Sequence, residues 1–503
     1  MASTFFGLTI AYSGLQTYQI ATNTTAHNIS NIRTEGYTRQ VTTLNAAESL
    51  RSYADYGTVG TGVEAVSVSQ IRDAYLDDKY RDNLSNYGEY LSKYNYMVQI
   101  EDYYNEINAE GFTAEYNNFY NALEELEKDP NNVTIKNQVI NCAQSLCDYF
   151  NNISVSLTNI QTDVNEEIKN KVDRINTIAT NLASLNKQIN NIEVRGGEAS
   201  DLRDKRSTLL DELSQIVNID ISETRGQNGT THMNIRINGQ DLVDGYNFNQ
   251  LVTTPKETRR NASDATDLYE ISWEGGMDFD EYSHSLKGEL KGLLDIRDGC
   301  NLSIETKSGV TETVAGYNTS YKGIPHYQAQ MNKFIATFVD TINNVFTKPN
   351  ATNSDGEPGV EMFVAKYAGD ISALNVAVNE VLLTDHNRLA TTYDASKGES
   401  DASLVSDLLD LKNEKIINNT TASDFLQSVM SEIGIDVYRA KTFDTTYSTM
   451  KASIQNQRLS VMGVDEDEEG MDLMKFQSAY ELCGKMLSVM TEMYNKLINE
   501  MGV

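Results

Sequence analysis

Residues 473–501 carry the pattern that most limits what this chain can become. Leu473, Phe476, Tyr480, Cys483, Leu487, Met490, Tyr494, Leu497 and Met501 follow one another in steps of three and four. That spacing is an unbroken heptad stripe along one helical face. A helix with a single apolar stripe is marginal in water and orders when the stripe is covered. The opposite end of the chain repeats the pattern more weakly. Phe5, Leu8, Tyr12 and Leu15 share the spacing, and the register runs on through Gln19, Thr22, Ala26 and Ile29. Two stripes at opposite ends predict a terminal coiled coil, poorly ordered in a free chain, whose helices order by packing on each other and on neighbouring chains. Asn28-Ile29-Ser30-Asn31 and Gly36 are turn residues that end the first helix.

The second stripe is preceded by Asp465-Glu466-Asp467-Glu468-Glu469. Acidic residues there complement the helix dipole, and Asp465 with Glu468 has capping-box spacing, so the run reads as a solvated helix start. Asp465, Asp467, Glu469 and Gly470 imitate the beginning of an EF-hand loop. Its twelfth position is Phe476, where calcium needs a bidentate carboxylate, so no calcium site is expected.

Between the ends, residues 71–130 and 131–195 read as long helices. The second carries Val172, Ile175, Ile178, Leu182, Leu185, Ile189 and Ile192 on one face and stops at Gly196-Gly197. A shorter helix follows around Leu202, Leu209, Leu210 and Leu213. The period then changes to two. Residues 216–221 are β-rich, Asn238-Gly239 marks a hairpin between Ile235/Ile237 and Leu242/Val243, and Ile271-Ser272-Trp273 reads as a strand. Helix resumes over 288–299, 327–346, 404–411 and 425–462, while 347–400 holds turn signals and short strands. The expected fold is mainly α with inserted β-rich domains, multi-domain and nested. Residues 1–70 and 455–503 form a terminal helical, coiled-coil domain, and 71–215, 286–346 and 401–454 a rod-like helical middle domain. Residues 216–285 form a β-rich outer domain, and 347–400 a loop and short-strand insertion.

Composition removes whole classes of function. The 503 residues carry 41 Lys+Arg against 72 Asp+Glu, a net charge of −31. A nucleic-acid binder needs clustered basic residues, and so does a protein docked on an anionic membrane face. The first charged residue is Arg33, and the start is rich in Thr, Asn and Ala, unlike a secretory signal peptide. No run of 18 apolar residues is present, so no membrane insertion is expected. Read plainly, that is a cytoplasmic chain, unless it leaves the cell by a route without a cleaved signal. Four cysteines, Cys142, Cys147, Cys300 and Cys483, are too few to staple it and lack zinc-ribbon spacing.

Catalytic patterns are missing as well. There is no G-x-S-x-G, no H-E-x-x-H and no Walker A sequence. Gly60-Thr61-Gly62-Val63-Glu64-Ala65 fits G-x-G-x-x-A but leads into a strand pattern, which makes it a glycine turn and not a phosphate cradle. The five histidines are scattered without metal spacing, and His326, after Pro325 at a helix start, reads as capping or solvated. Cys483 sits on the stripe as a small hydrophobe. No cofactor, metal or catalytic residue is expected. Tyrosines outnumber phenylalanines 28 to 14, which suits a large, hydrated protein contact surface.

The residues also resemble a known family. Phe5-Phe6-Gly7-Leu8 through Gly14-Leu15 to Asn28-Ile29-Ser30-Asn31, followed by Gly36-Tyr37-Thr38-Arg39-Gln40, is similar to the start of the axial proteins of the bacterial flagellum. The signature residues are Asn28, Asn31, Gly36, Tyr37, Arg39 and Gln40. Gly60-Thr61-Gly62-Val63, Asp201-Leu202-Arg203-Asp204-Lys205-Arg206 and Gly288-Glu289-Leu290-Lys291-Gly292-Leu293-Leu294 resemble the hook-associated members. So does the ending, Ser460-Val461-Met462-Gly463-Val464 and Leu473-Met474-Lys475-Phe476-Gln477-Ser478-Ala479-Tyr480. Two departures stand out. Glu35 replaces the usual proline before Gly-Tyr, and Cys483-Gly484 replaces a run of alanines.

The resemblance implies a non-enzymatic structural subunit of the flagellum, required for filament assembly and motility. It would form the junction ring between hook and filament as a homo-oligomer, with hook protein on one side and the second junction protein on the other. Its terminal helices would line the inner tube. The assembly interface would be Phe5, Leu8, Tyr12, Leu15 and Ile29 on the first helix. On the last it would be Leu473, Phe476, Tyr480, Leu487, Met490, Tyr494, Leu497 and Met501. The resemblance further implies type III export without a cleaved signal, a cytoplasmic chaperone on the C-terminal helix, and an extracellular location. The alternatives are another axial flagellar protein, or an exported adhesin or immune-recognised binding module.

Overall fold

The computed structural model describes residues 6–51, 58–104, 111–226, 230–259, 261–300, 303–305, 311–313, 321–367, 369–398 and 400–500. The fold is mainly helical with small antiparallel sheets. Two units are assembled from alternating stretches of chain: 1–86, 174–250 and 447–503 make the first, 87–173 and 251–446 the second. Residues 216–285, expected as one β-rich domain, thus give strands to both.

In the first unit, α1 (Phe6–Asn31) leads into β1 (Gln40–Ala46), β2 (Leu50–Arg51), β3 (Thr58–Val59) and β4 (Val63–Gln70). β1 and β4 pair antiparallel from Gln40↔Gln70 to Ala46↔Val63, with a bulge between Thr43 and Leu44. This ladder lies on α1, where Thr17 donates to the Val63 carbonyl at 3.1 Å. Gly62 makes the approach possible. Its φ is +114°, and a Cβ there would run into the Ser13 hydroxyl. The glycine pair leads into a strand, as its sequence suggests, with the close contact at Gly62 and open space at Gly60.

Three helices belong to both units in part: α2 (Ala74–Tyr104), α4 (Val133–Glu193) and α10 (Ala422–Met462). The first unit is completed by α5 (Ser200–Ile216), a sheet of β5 (Asp220–Arg225), β6 (Thr231–Ile237), β7 (Gln240–Asp244) and β8 (Asn247–Phe248), and α11 (Glu466–Asn499). The β6–β7 turn puts Asn238 and Gly239 at φ 50° and 81°, as a two-residue primed turn requires. Ile175, Ile178, Leu182 and Ile189 of the expected α4 stripe are buried, as are Ile235, Ile237, Leu242 and Val243 of the sheet. Asn190 ties the two together by accepting from Thr231 N and donating to its carbonyl, both at 2.7 Å.

The second unit adds α3 (Phe112–Lys128), the hairpins β9 (Leu251–Pro255)/β10 (Tyr269–Trp273) and β11 (Ser303–Glu305)/β12 (Thr311–Thr313), α6 (Glu289–Asp298) and α7 (Ile324–Phe346). Then come β13 (Phe363–Ala365)/β14 (Val376–Val378), α8 (Glu380–Thr384) and α9 (Ser403–Asp410). The expected helix over 71–130 is two helices, because Gly111, in extended backbone, is the N-cap of α3. An aromatic cluster forms the core: Phe334 stacks on Phe338 and Phe425 at 5.7 and 6.1 Å, with Phe112 edge-on at 5.5 Å. α6, the Gly288–Leu294 motif, is buried on every side despite its charges. Those charges are paired: Lys93 with Asp295 at 2.6 Å, Lys171 with Glu289 at 2.6 Å, and Arg297 with its neighbour Asp298 at 2.6 Å. His326 departs from its sequence reading. It is buried in the first turn of α7 beside Gln330 and Glu432, and not solvated.

Candidate assembly interface

α1 and α11 run antiparallel. A Cβ on Gly7 would stand 2.8 Å from Met490 Cε, and one on Gly14 would stand 2.7 Å from Cys483 Sγ. Asn28 Nδ2 donates to Glu469 at 3.0 Å. Between the first two contacts the numbering rises by seven on α1 and falls by seven on α11, and to the third it shifts by fourteen on each. A heptad seam therefore joins the chain ends.

The α1 side of the seam is a row of small and polar residues. Ala11, Gly14, Thr17, Ala21, Thr25 and Asn28 are buried. The larger row expected there lies at the edge: Leu8, Leu15 and Ile29 are half-buried and Tyr12 is 54% exposed, while Phe5 falls outside the described residues. Small residues on α1 let the large side chains of α11 reach its backbone, whereas two bulky rows would hold the axes apart. On α11, Leu473, Phe476, Cys483, Leu487, Met490 and Tyr494 are half-buried, Tyr480 and Leu497 are exposed, and Met501 lies outside the described residues. Cys483, one of the two departures from the family pattern, sits directly over Gly14. Burial pushes its thiol pKa up, so the group stays neutral.

A polar lock closes the seam at its Asn28 end. Asn28 is buried and uses both ends of its amide. Nδ2 donates to the Gln40 carbonyl at 2.8 Å as well as to Glu469, and Oδ1 accepts from Tyr37 Oη at 2.7 Å and Gln40 N at 3.0 Å. Arg39 then spans the α11 start, reaching Glu469 at 2.7 Å and Glu468 at 2.9 Å, while its own N–H donates to the Met462 carbonyl. This corrects two sequence readings. Glu469 is 2% exposed and paired, not a solvated helix-start residue. Asp465 caps Asp467 N and Glu468 N, but the Glu468 carboxylate goes to Arg39.

α5 supplies the other half of the lock. Asp204 accepts from Thr38 N at 2.9 Å and Thr38 Oγ1 at 2.6 Å, and Asp201 accepts from Gln40 Nε2 at 2.7 Å. Gly36 has φ +76°, and a Cβ there would collide with Thr208 of α5. Asn31 contributes least, donating to the His27 carbonyl of its own helix at 3.0 Å. Behind the lock, Arg458 bridges Asp77 and Asp211 at 2.7 and 2.9 Å, joining α10 to α2 and α5. Sequence spacing could not have paired Asp201, Asp204 and Glu469 with the signature, since only the fold brings them together.

Electrostatics favour a permanent lock over a reactive site. Burial, then the carboxylates of Asp201, Asp204 and Glu469, push the Tyr37 phenol above its ordinary pKa, so it remains a donor. Burial alone would lower the Arg39 pKa, but Glu469 and Glu468 outweigh it and raise it. Burial raises the Asp204 carboxyl, against the two bonds from Thr38. Among the described residues no group of three or more His, Cys, Asp or Glu side chains is placed to hold a metal ion. No helix among them is long and apolar enough to cross a membrane.

A seam between the two chain ends, closed by a signature turn, defines a structural subunit built around paired terminal helices. Comparison with known proteins gives the family. The model of the flagellar hook-associated protein FlgK helical domain matches residues 97–363, and that of the flagella basal body rod protein matches residues 8–38. The chain belongs to the flagellar hook-associated protein FlgK family, whose members are structural flagellar proteins and not enzymes. It is 29% identical to flagellar hook-associated protein 1 of Bacillus subtilis, over 100% of this chain and 99% of that one. Identity to the protein of the same name in Escherichia coli is 26%, covering 97% and 98%. The structure of the flagellar hook junction protein FlgK from Burkholderia pseudomallei shares the fold, with a TM-score of 0.59 at 14% identity over 76% of this chain and 100% of that one.

Proposed function

We infer that this chain is the structural subunit of the junction between flagellar hook and filament, and that filament assembly requires it. The observation that carries the reading is the lock: Asn28 and Arg39 of the axial-protein signature bind the start of α11 through Glu469, Tyr37 holds Asn28, and Gln40 with the adjoining Thr38 binds α5 through Asp201 and Asp204. The full-length match to relatives named flagellar hook-associated protein 1 supports the same role.

In this reading the subunit is extracellular and forms a homo-oligomeric ring. Hook protein lies on one side and the second junction protein on the other. Segments 1–70 and 455–503 line the inner tube, 71–215, 286–346 and 401–454 form the helical layer, and 216–285 and 347–400 face outward. Leu8, Tyr12, Leu15, Ile29, Tyr480 and Leu497 keep apolar surface at the edge of the seam or outside it, available to neighbouring subunits. The subunit travels unfolded through the flagellar type III apparatus without a cleaved signal, its C-terminal helix held by a cytoplasmic chaperone. A chain with four free cysteines and ends that depend on each other suits that route. Electron microscopy of cells lacking the gene tests the role. Hooks without filaments and flagellin shed into the medium are expected, and normal filaments would overturn it.

A further inference from the structure

The thioethers of this chain are sorted by exposure. Met97 and Met362 are fully buried, whereas α11 presents Met471, Met474, Met486 and Met493 to solvent, the last two 39% and 54% exposed. Among the described residues only Met277 and Met450 outside α11 are comparably open. On the seam side of the same helix, half-buried Met490 lies on the α1 backbone. Its Sδ and Cε are 3.1 and 2.8 Å from the point where a Cβ of Gly7 would stand. Glycine is what admits the sulfur there, and the contact leaves no room for one more atom.

We propose that Met490 is an oxidation-sensitive keystone of the α1–α11 seam, flanked by Met486 and Met493 as an outer row that a hydroperoxide reaches first. The sulfur lone pair attacks one peroxide oxygen. An S–O bond forms, the O–O bond breaks, and the departing hydroxide takes the remaining proton and leaves as water. Sulfur gives up two electrons and the peroxide accepts them. The product is a polar, chiral sulfoxide that methionine sulfoxide reductases can return to the thioether. On Met486 and Met493 the new oxygen points into solvent and costs little. On Met490 it has no space over Gly7 and must push α1 and α11 apart. The seam then opens from the Gly7 end, while the lock at Asn28 lies six turns away.

Full-length protein is treated with hydrogen peroxide, each methionine is followed by peptide mass spectrometry, and hydrogen exchange of the α1 amides is read in parallel. The exposed Met277, Met450, Met471, Met474, Met486 and Met493 are expected to convert first and Met490 next, with Met97 and Met362 last. Exchange over the first turns of α1 should quicken by about tenfold as Met490 converts, and reductase treatment should reverse it. Met490→Leu keeps the apolar contact but cannot take the oxygen, so its α1 exchange should not change. Met450→Leu should behave like the wild type. The proposal is overturned if Met490→Leu opens as readily as the wild type, or if α1 exchange is unchanged once Met490 has converted.

Discussion

Asn28 and Asn31 belong to the same signature, yet their replacement should differ sharply in cost. Asn28→Ala removes four hydrogen bonds at 2.7–3.0 Å from a buried site. Glu469 keeps Arg39, and the partly exposed Tyr37 hydroxyl can turn to water. The Gln40 N–H and carbonyl are left unpaired, at about 1–3 kcal/mol for each buried orphan. The sum is about 3–4 kcal/mol. Asn31→Ala loses only local bonds at a half-buried position, to the His27 carbonyl at 3.0 Å and from the exposed Thr34 hydroxyl at 3.2 Å, with a longer contact to His27 Nδ1 at 3.4 Å; water can replace these, so the cost is about 1 kcal/mol. Hydrogen exchange at the β1 amides reads the stability of the lock directly, since β1 begins at Gln40. Protection there should fall by at least about a hundredfold in Asn28→Ala and hardly move in Asn31→Ala. Equal losses would refute the reasoning, because they would mean that the buried network contributes nothing beyond helix formation.

Three further outcomes follow from the same contacts. Gly14→Ala places a methyl 2.7 Å from Cys483 Sγ and should weaken the seam; adding Cys483→Ala should reverse the sign, since alanine gains about 1 kcal/mol over glycine in a helix, and thermal melts of the two variants decide. Gly62→Ala, at φ +114° against Ser13, should cost about 2 kcal/mol or more, seen as lost exchange protection in β4. Burial holds the His326 pKa below its ordinary 6.5, against the pull of Glu432. As pH falls through 6.5 the unfolded imidazole takes up a proton that the folded one resists, so the second unit should lose stability below that pH and keep it above. His326→Gln should flatten that limb of a denaturation-versus-pH curve.

The parts of this molecule that announce themselves in sequence are those where large apolar residues recur at a fixed period. The α11 stripe, the buried face of α4 and the Asn238-Gly239 turn are of that kind. The α1 side of the seam is not. It is written in small residues at positions 7, 11, 14, 21, 25 and 28, and a search for bulky residues favours the neighbouring row of Leu8, Tyr12 and Leu15. Counting glycine, alanine and threonine as seam residues would have found it. Glu468 and Glu469 looked like solvated helix-start charges because their partner, Arg39, lies some 430 residues away. Burial of α6 is equally hidden, since its Asp295 and Glu289 carboxylates are neutralised by lysines on α2 and α4.

The central claim is that the seam between the chain ends is what makes this a junction subunit. Phe476→Asp with Leu487→Asp places two carboxylates on the seam face of α11 without touching the second unit. Electron microscopy of cells carrying this variant as their only copy is the direct measurement, with the circular dichroism of the purified protein as the check on folding. The account predicts hooks that end bare, with the second unit still folded. Filaments of normal number and length on such hooks would contradict it.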